Sequence, residues 1–503
     1  MTDLWHSRYI LSQPVQNYYQ YIIPRLNGDD IKKGFSGHLS LVKKGIAGFI
    51  VFGGRLREVR KHIRQLQESS DLPLILASDL ERGLGQQLKG GTLFPPAMAL
   101  ARATARDGRK TDGPQISKSG LKLLRQSFQA LAEEARYAGI NTILAPVLDI
   151  NTNPDNPIIG VRSFGEDSGT VSRFGEEMVR TLQKHGIAAC GKHFPGHGDT
   201  AVDSHIRLPS IQRSLASLNR TELQPFRRAV AAGVAMIMLG HLDVPALDSS
   251  GIPVSLSGKA VSYIRKSLHY NGLLITDAMN MGGLSGFSEE EASLMALRAG
   301  VDIILHPLNA DRVAAYLRKK AYNADNLRLA EFRRGLSRFP DESVPRFEDN
   351  AHLSAALTSM TLALPKNFRV GSDPLFVILS DEKQRQGTQF VKTLRRALPV
   401  LSCITLNQQQ QRKNNLRRVA AQATSGRTVI TAVFSETRAW KGQTGGWMQE
   451  SIAALTPLTG LFVSFGNPYL IRNIPAERKL LAYWNAETAQ QAAAEAIIGR
   501  LMT

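Results

Sequence analysis

Along the first two thirds of the chain, short runs of nearly continuous apolar residues alternate with stretches where apolar positions recur every three or four residues. Continuous short runs mark strands covered on both faces, and the wider spacing marks helices with one buried face. Residues 45–53, 72–79, 142–150, 187–192, 235–241, 273–277 and 301–306 read as seven strands, with helices such as 121–138 and 222–232 between them. No eighth run stands out. The repeated alternation points to a parallel sheet, either doubly wound or closed on itself. The strand ends favour closure. Asp79 and Glu81, Asp149 and Asn151, Lys192 and His193, His241 and Asp243, Asp277, and His306 each stand at the end of a run. A barrel gathers such ends on one face, whereas an open sheet strings them along an edge. The expected architecture is therefore an α/β fold, a (β/α)8 TIM-like barrel over residues 1–340.

Helical spacing continues to about residue 338, and Pro340 and Pro345 open a connector expected over 341–372. A second alternation follows, with strands at 376–379, 403–406, 429–434, 461–465 and 480–483 and a closing helix at 488–501. It reads as a smaller α/β sandwich spanning 373–503. Gln408 to Gln411 is expected to open a helix, and the glycines from Gly442 to Gly446 lack the Gly-Lys-Ser/Thr ending of a phosphate loop.

Composition narrows the function classes. A chain of 503 residues exceeds one ordinary core, and its 43% hydrophobic and 21% charged content is that of a soluble globular protein. No apolar run is long enough to span a bilayer, and the first residues lack a secretion signal. The two cysteines, Cys190 and Cys403, sit in apolar runs and read as reduced thiols, so a cytoplasmic location is expected. With so few thiols, neither a structural zinc site nor any other metal or organic cofactor is expected. The net charge of +19 invites a nucleic-acid partner. The basic residues are spread along amphipathic helices, as in Arg55-Leu56-Arg57-Glu58-Val59-Arg60-Lys61, without interleaved aromatics to stack on bases. They read as a solvated face, so neither nucleic acid nor membrane is an expected partner.

Chemistry concentrates in Lys192-His193-Phe194-Pro195-Gly196-His197-Gly198-Asp199-Thr200 and its continuation to Asp203-Ser204-His205. Three histidines, two carboxylates and a lysine fall within fourteen residues directly after a buried strand. A loop on an active-site rim tolerates that density of polar groups; a core does not. A second candidate is Leu273-Leu274-Ile275-Thr276-Asp277, where an aspartate caps an apolar strand. Such a carboxylate is costly unless hydrogen-bonded or used, and the next helix starts too late for capping to account for it.

These motifs resemble the bacterial β-N-acetylhexosaminidases of glycoside hydrolase family 3. The likeness is carried by 192–205 and by Thr276-Asp277-Ala278-Met279, and it extends to 145–149, 159–165, 240–248 and 463–469. The resemblance implies retaining hydrolysis of a terminal β-linked N-acetylglucosaminide, with a disaccharide or muropeptide from the cell wall as the small carbohydrate substrate. Asp277 matches the nucleophile, His205 the general acid/base and Asp203 its partner. Asp79, Arg162, Lys192 and His193 match substrate-holding positions. An imidazole, which ionises near pH 6.5, can give and take a proton at neutral pH where most such enzymes use a second carboxylate. Lys192 and Arg162 are expected to keep Asp277 ionised, and Gly196 and Gly198 to let the loop turn and move, delivering His205. His197 and Asp199 read equally as chemistry or as loop formers. The chain departs from the family after the second strand, where Leu84 and Gln87 stand in place of common basic residues and Arg82 is a candidate substitute. Two alternatives follow: a β-glucosidase or xylosidase of the same family taking its acid/base from Glu436, and a phosphorylase, since a neutral imidazole does not repel phosphate.

Overall fold

A computed structural model of the chain describes residues 17–105, 116–323, 327–381, 386–407, 412–423, 427–436 and 445–501. Its first sheet is all parallel. Strands β1 (Ile22–Ile23), β2 (Arg25–Asn27), β3 (Gly48–Phe52), β4 (Ile75–Ser78), β5 (Thr142–Ile143), β6 (Ala188–Phe194), β7 (Met236–Leu239), β8 (Leu273–Thr276) and β9 (Ile304–Leu305) follow one another with helices between most of them. β2 to β8 pair in sequence order, and β1 pairs with β9. The two ends of the curled sheet are tied together. Ile303 O accepts from Thr276 N at 3.1 Å, Ile23 O from His306 N at 2.7 Å, and Ile22 O from Ala47 N at 3.2 Å.

β1 and β2 are one run interrupted by Pro24, and they supply the strand that the hydropathy pattern did not reveal. Proline lacks a ladder donor, so it breaks the apolar signature of the run without preventing its pairing on either side. The run expected at 142–150 is paired as a strand only over Thr142–Ile143, and Val147 makes a single bridge to Lys192.

Period two explains why the strands looked uniformly apolar. Ile50, Ile75, Ala77, Met236, Met238, Leu273 and Ile275 pack together inside the curl. Phe49, Val51, Leu76, Ile237 and Leu274, from the alternate positions, join the larger core shared with the helices. Both faces of each strand are thus buried, as covered parallel sheets require.

The second sheet holds β10 (Leu375–Ser380), β11 (Ser402–Leu406), β12 (Val429–Ser435), β13 (Leu461–Gly466) and β14 (Lys479–Leu481), in the order β11-β10-β12-β13-β14. All pairs are parallel. Its two faces carry separate apolar clusters, one around Phe390, Phe434 and Phe465 and one around Leu406, Met448 and Phe462. The expected last strand is shorter than 480–483, because Tyr483 turns away at φ +64°. The glutamine run 408–411 and Gly442 lie outside the described residues. Among the described residues no helix is long and apolar enough to cross a membrane.

Helix Phe347–Thr361 occupies the stretch read as connector and packs on helices Ala97–Thr104, Lys118–Ala138 and Glu487–Ile498. It is pinned by polar contacts. Asn350 donates to Glu134 Oε1 at 2.8 Å, Ser354 Oγ to Leu93 O at 2.7 Å, and the other Glu134 oxygen accepts from Thr92 N at 2.8 Å. Glu134 is fully buried, so losing a partner exposes an unmet acceptor to a dry interior. Asn350→Ala is expected to cost about 1–3 kcal/mol, read as a lower urea midpoint at unchanged slope. An unchanged midpoint would show that the helix is held by its apolar face alone.

Candidate active site

The carboxyl ends of the first sheet's strands surround a cavity of about 410 Å3. Asp79, Arg162, Lys192, His193, His205 and Asp277 all line it. Asp203 does not, and stands behind His205 instead. Asp79 and Asp277 stand one residue past β4 and β8, Lys192 and His193 lie among the last residues of β6, and loops bring Arg162 and His205 to the same face.

One wall is an ionic lattice. The Lys192 ammonium lies 2.7 Å from Asp79 Oδ1 and 2.8 Å from Glu81 Oε1. Glu81 is held from its other side by Arg162, with Nε at 2.9 Å and Nη2 at 2.7 Å. Burial works against every charge here, and the pairing outweighs it. Lys192 and Arg162 are pushed above their ordinary values, and Glu81 is held well below the usual carboxylate range. A fork-shaped guanidinium against a carboxylate fixes direction as well as charge.

A second buried carboxylate orients the histidines. Asp149 is 0% exposed; it faces His193 Nδ1 at 2.7 Å and accepts from the His193 and His197 amides at 3.1 Å and 2.7 Å. Burial raises its pKa, and the neighbouring His193 and His197 more than reverse that, leaving it below the ordinary value. Sequence reading placed Asp149 at a strand end but gave it no task. Its position one residue before Ile150, on a run of apolar neighbours, was the available signal.

Asp277 lies at the base of the cavity, with Oδ1 accepting from Ala278 N at 2.8 Å. Burial again pushes upward, and His193, His241, the Ala278 amide and His205 hold it below the ordinary value. This corrects the expectation that Lys192 and Arg162 would keep it ionised, because both cations are committed to Asp79 and Glu81. The following turn is Gly282–Leu284, and the next helix starts only at Glu289 behind its own Ser288 cap. Capping does not explain the aspartate.

The loop after β6 is internally bonded. His197 Nε2 meets Ser204 Oγ at 2.8 Å, its Nδ1 meets Thr200 Oγ1 at 2.8 Å, and Arg213 grips Asp199 with two contacts of 2.9 Å. His197 and Asp199 therefore serve the loop's architecture. Gly198 is required by space, since a Cβ there would stand 1.7 Å from Ile150 O. Gly282 N and Gly283 N bond to His205 O and Ser204 O at 3.0 and 2.9 Å, fixing the loop to the segment that follows Asp277. His205 is already at the cavity, with Nδ1 2.8 Å from Asp203 Oδ1, which also accepts from the His205 amide at 2.9 Å.

Arg25 and Gln86, which the sequence did not single out, complete the lining with His306 and Gln87, which it did. Arg25 and His306 come from the interrupted first strand and the last strand, and Gln86 and Gln87 from the loop after β4. Arg82 does not line this cavity; its guanidinium stands over Trp484 of the second sheet's region, 5.9 Å from the ring centroid. Glu436 does not line it either, and accepts from Asn485 N at 2.8 Å.

Burial pushes the His197 imidazolium down to about 4 from an ordinary 6.5. The unfolded chain therefore takes up the proton first as pH falls. His197 costs no stability above about pH 6.5, an increasing amount between 6.5 and 4, and a constant amount below 4. His306, pushed down to about 4 by burial and Arg25, acts with the same sign. Urea unfolding across pH 4 to 7 is expected to show a shallower decline for His197→Asn than for the natural chain. Identical slopes would mean that His197 is protonated in the folded state.

Comparison with known proteins places this site in a family. The model of the glycosyl hydrolase family 3 N-terminal domain matches residues 38–338. Beta-hexosaminidase A of Pseudoalteromonas piscicida is 34% identical over 271 residues, 51% of this chain and 44% of that relative, so the chain spans less than half of that relative's length. A beta-hexosaminidase of Thiobacillus denitrificans is 33% identical over 283 residues, 54% of this chain and 75% of the relative. Among solved structures, the glycoside hydrolase family 3 beta-N-acetylglucosaminidase of Paenibacillus sp. FPU-7 superposes with a TM-score of 0.78 at 26% identity, covering 98% of this chain and 97% of that one. On the family match and on strand ends that converge around Asp277, the chain belongs to glycosyl hydrolase family 3.

Proposed function

We propose that the protein is a retaining exo-β-N-acetylglucosaminidase that removes terminal β-linked N-acetylglucosamine from peptidoglycan fragments in the cytoplasm. The observation that carries this reading is His205, backed by Asp203 at 2.8 Å, on the same cavity as a buried, ionised Asp277. In this reading Asp277 attacks the anomeric carbon while His205 Nε2 protonates the departing glycosidic oxygen. Asp203, on Nδ1, orients the ring and stabilises its cationic form. The same imidazole then takes a proton from the water that releases the sugar from Asp277. Asp79, Arg162, Lys192 and His193 hold the sugar hydroxyls; the ionic lattice fixes the first three and Asp149 fixes His193 before substrate arrives. The relatives named as hexosaminidases and the N-acetylglucosaminidase fold neighbour support the substrate class.

The domain plan that goes with this reading is a catalytic (β/α)8 barrel over 1–340, a connector at 341–372 and a C-terminal α/β sandwich at 373–503. Taking the acid/base from Glu436, as in a glucosidase, has less support because Glu436 lines neighbouring cavities rather than the one that holds Asp277.

The test is release of nitrophenol from β-N-acetylglucosaminide and β-glucoside, and of sugar from an unactivated N-acetylglucosamine disaccharide. Cleavage is expected for the N-acetyl substrates alone. Asp277→Ala should lose at least about 10³-fold in kcat/KM on both. His205→Ala should lose about 10²–10⁴-fold on the disaccharide and less on the nitrophenyl substrate, whose leaving group departs without a proton. Full activity of His205→Ala on the disaccharide would move the acid/base elsewhere, and sugar phosphate formed in phosphate buffer would make the enzyme a phosphorylase.

A further inference from the structure

Beside the Asp277 cavity lies a second one of about 290 Å3, lined by Arg82, Pro96, Ala97, Glu436, Tyr483 and Trp484 together with Glu81, Gln86 and Arg162. The last three also line the first cavity, so the two adjoin across the Glu81–Arg162 pair. Its walls come from both sheets. The loop after β4 brings Arg82, and the segments after β12 and β14 bring Glu436 and Trp484.

The Arg82 guanidinium is the group in this cavity with unmet chemistry. The Trp484 indole is 2% exposed. Arg82 contributes its backbone amide to Gln86 Oε1 at 3.0 Å, but its guanidinium forms no ion pair among the described residues and rests on the Trp484 ring. The contact is at the outer limit of a cation–π interaction, so the indole face favours the cation while its fork of N–H donors stays open to a planar anion. The other charges on these walls are answered differently. Arg162 is bound to Glu81 by two contacts, and Glu436 accepts from Asn485 N. Arg82 is thus the cation of this cavity that lacks a counter-ion among the described residues.

We infer that this cavity binds a free carboxylate carried by the aglycone, with the Arg82 guanidinium as its counter-ion. The inference rests on the glycosidase reading: an exo enzyme fills the Asp277 cavity with the terminal sugar, so the part of the substrate left for the adjoining cavity is the aglycone. The volume suits one ring and a short substituent, being at the small end of ligand pockets, which begin near 300 Å3. A peptide joined to the carboxylate would turn it into an amide and remove the charge that Arg82 recognises. The preferred substrate is therefore the acid, after the peptide has been removed by an amide-cleaving reaction.

The probes are N-acetylglucosaminyl-β-1,4-N-acetylmuramic acid and the same disaccharide with its lactyl carboxylate converted to a carboxamide. The ratio of kcat/KM for acid over amide is expected to be about ten in the natural enzyme, the worth of a charge-assisted hydrogen bond. Arg82→Gln should bring that ratio to about one, and Arg82→Lys, which keeps the charge without the fork, to an intermediate value. A ratio of one in the natural enzyme, or a ratio that survives Arg82→Gln, would overturn the inference and leave the glycosidase reading intact. No release of nitrophenol from the β-N-acetylglucosaminide by the natural enzyme would overturn that reading and the inference together.

Discussion

A buried ammonium organises the mouth of this molecule. Lys192 is 2% exposed, and a charge at that depth persists only because Asp79 and Glu81 stand within 2.8 Å of it. Removing Asp79 or Glu81 would leave Lys192 charged and short of a partner at that depth, where an unpaired ion costs several kcal/mol. The lattice therefore fixes three separate stretches of chain with respect to one another: the end of β4, the end of β6 and the turn that carries Arg162. What looks like a binding wall is also the joint between the loops that build it.

Around that joint the polar groups divide into holders and actors. Asp149, His197, Asp199 and Arg213 make closed sets of bonds within the protein and point the chain. Asp277, His193 and His205 face the cavity, and His197, though bonded at both ring nitrogens, also lines it. The division has an electrostatic side. Asp277 is kept ionised by imidazoles and a backbone amide rather than by a lysine or arginine, so no full cation is bound to its carboxylate. In the proposed reaction that leaves the carboxylate oxygens available for the anomeric carbon.

The second sheet does more than follow the first. Its loops bring Glu436, Tyr483 and Trp484 against Arg82, and Arg472 reaches Asp155 at 3.1 Å. The helix Phe347–Thr361, pinned through Asn350 to Glu134, sets the path by which the chain reaches that position. A cavity between two bodies can vary on one wall while the reacting groups on the other stay in place, which is how a family with one chemistry acquires different leaving groups.

The sequence by itself determined the parallel alternation, the places where strands end, and the two motifs that hold the candidate chemistry. It did so because burial on both faces forces continuous apolar runs, and because titratable groups at the ends of such runs have few bland explanations. It did not reveal the strand Ile22–Asn27, since Pro24 breaks the pattern that hydropathy can register while the pairing continues on either side. Nor did it show which charges act on which. Glu81 lies two residues from Asp79 in the chain, yet only the fold sets it between Arg162 and Lys192, about 81 and 111 positions further on. Arg82 read as a stand-in for a missing active-site cation, and tertiary contact turned it away onto Trp484, four hundred residues downstream. Residue types are written in the local sequence; the distances and burial that give a charge its energy belong to segments that meet only when the chain is folded.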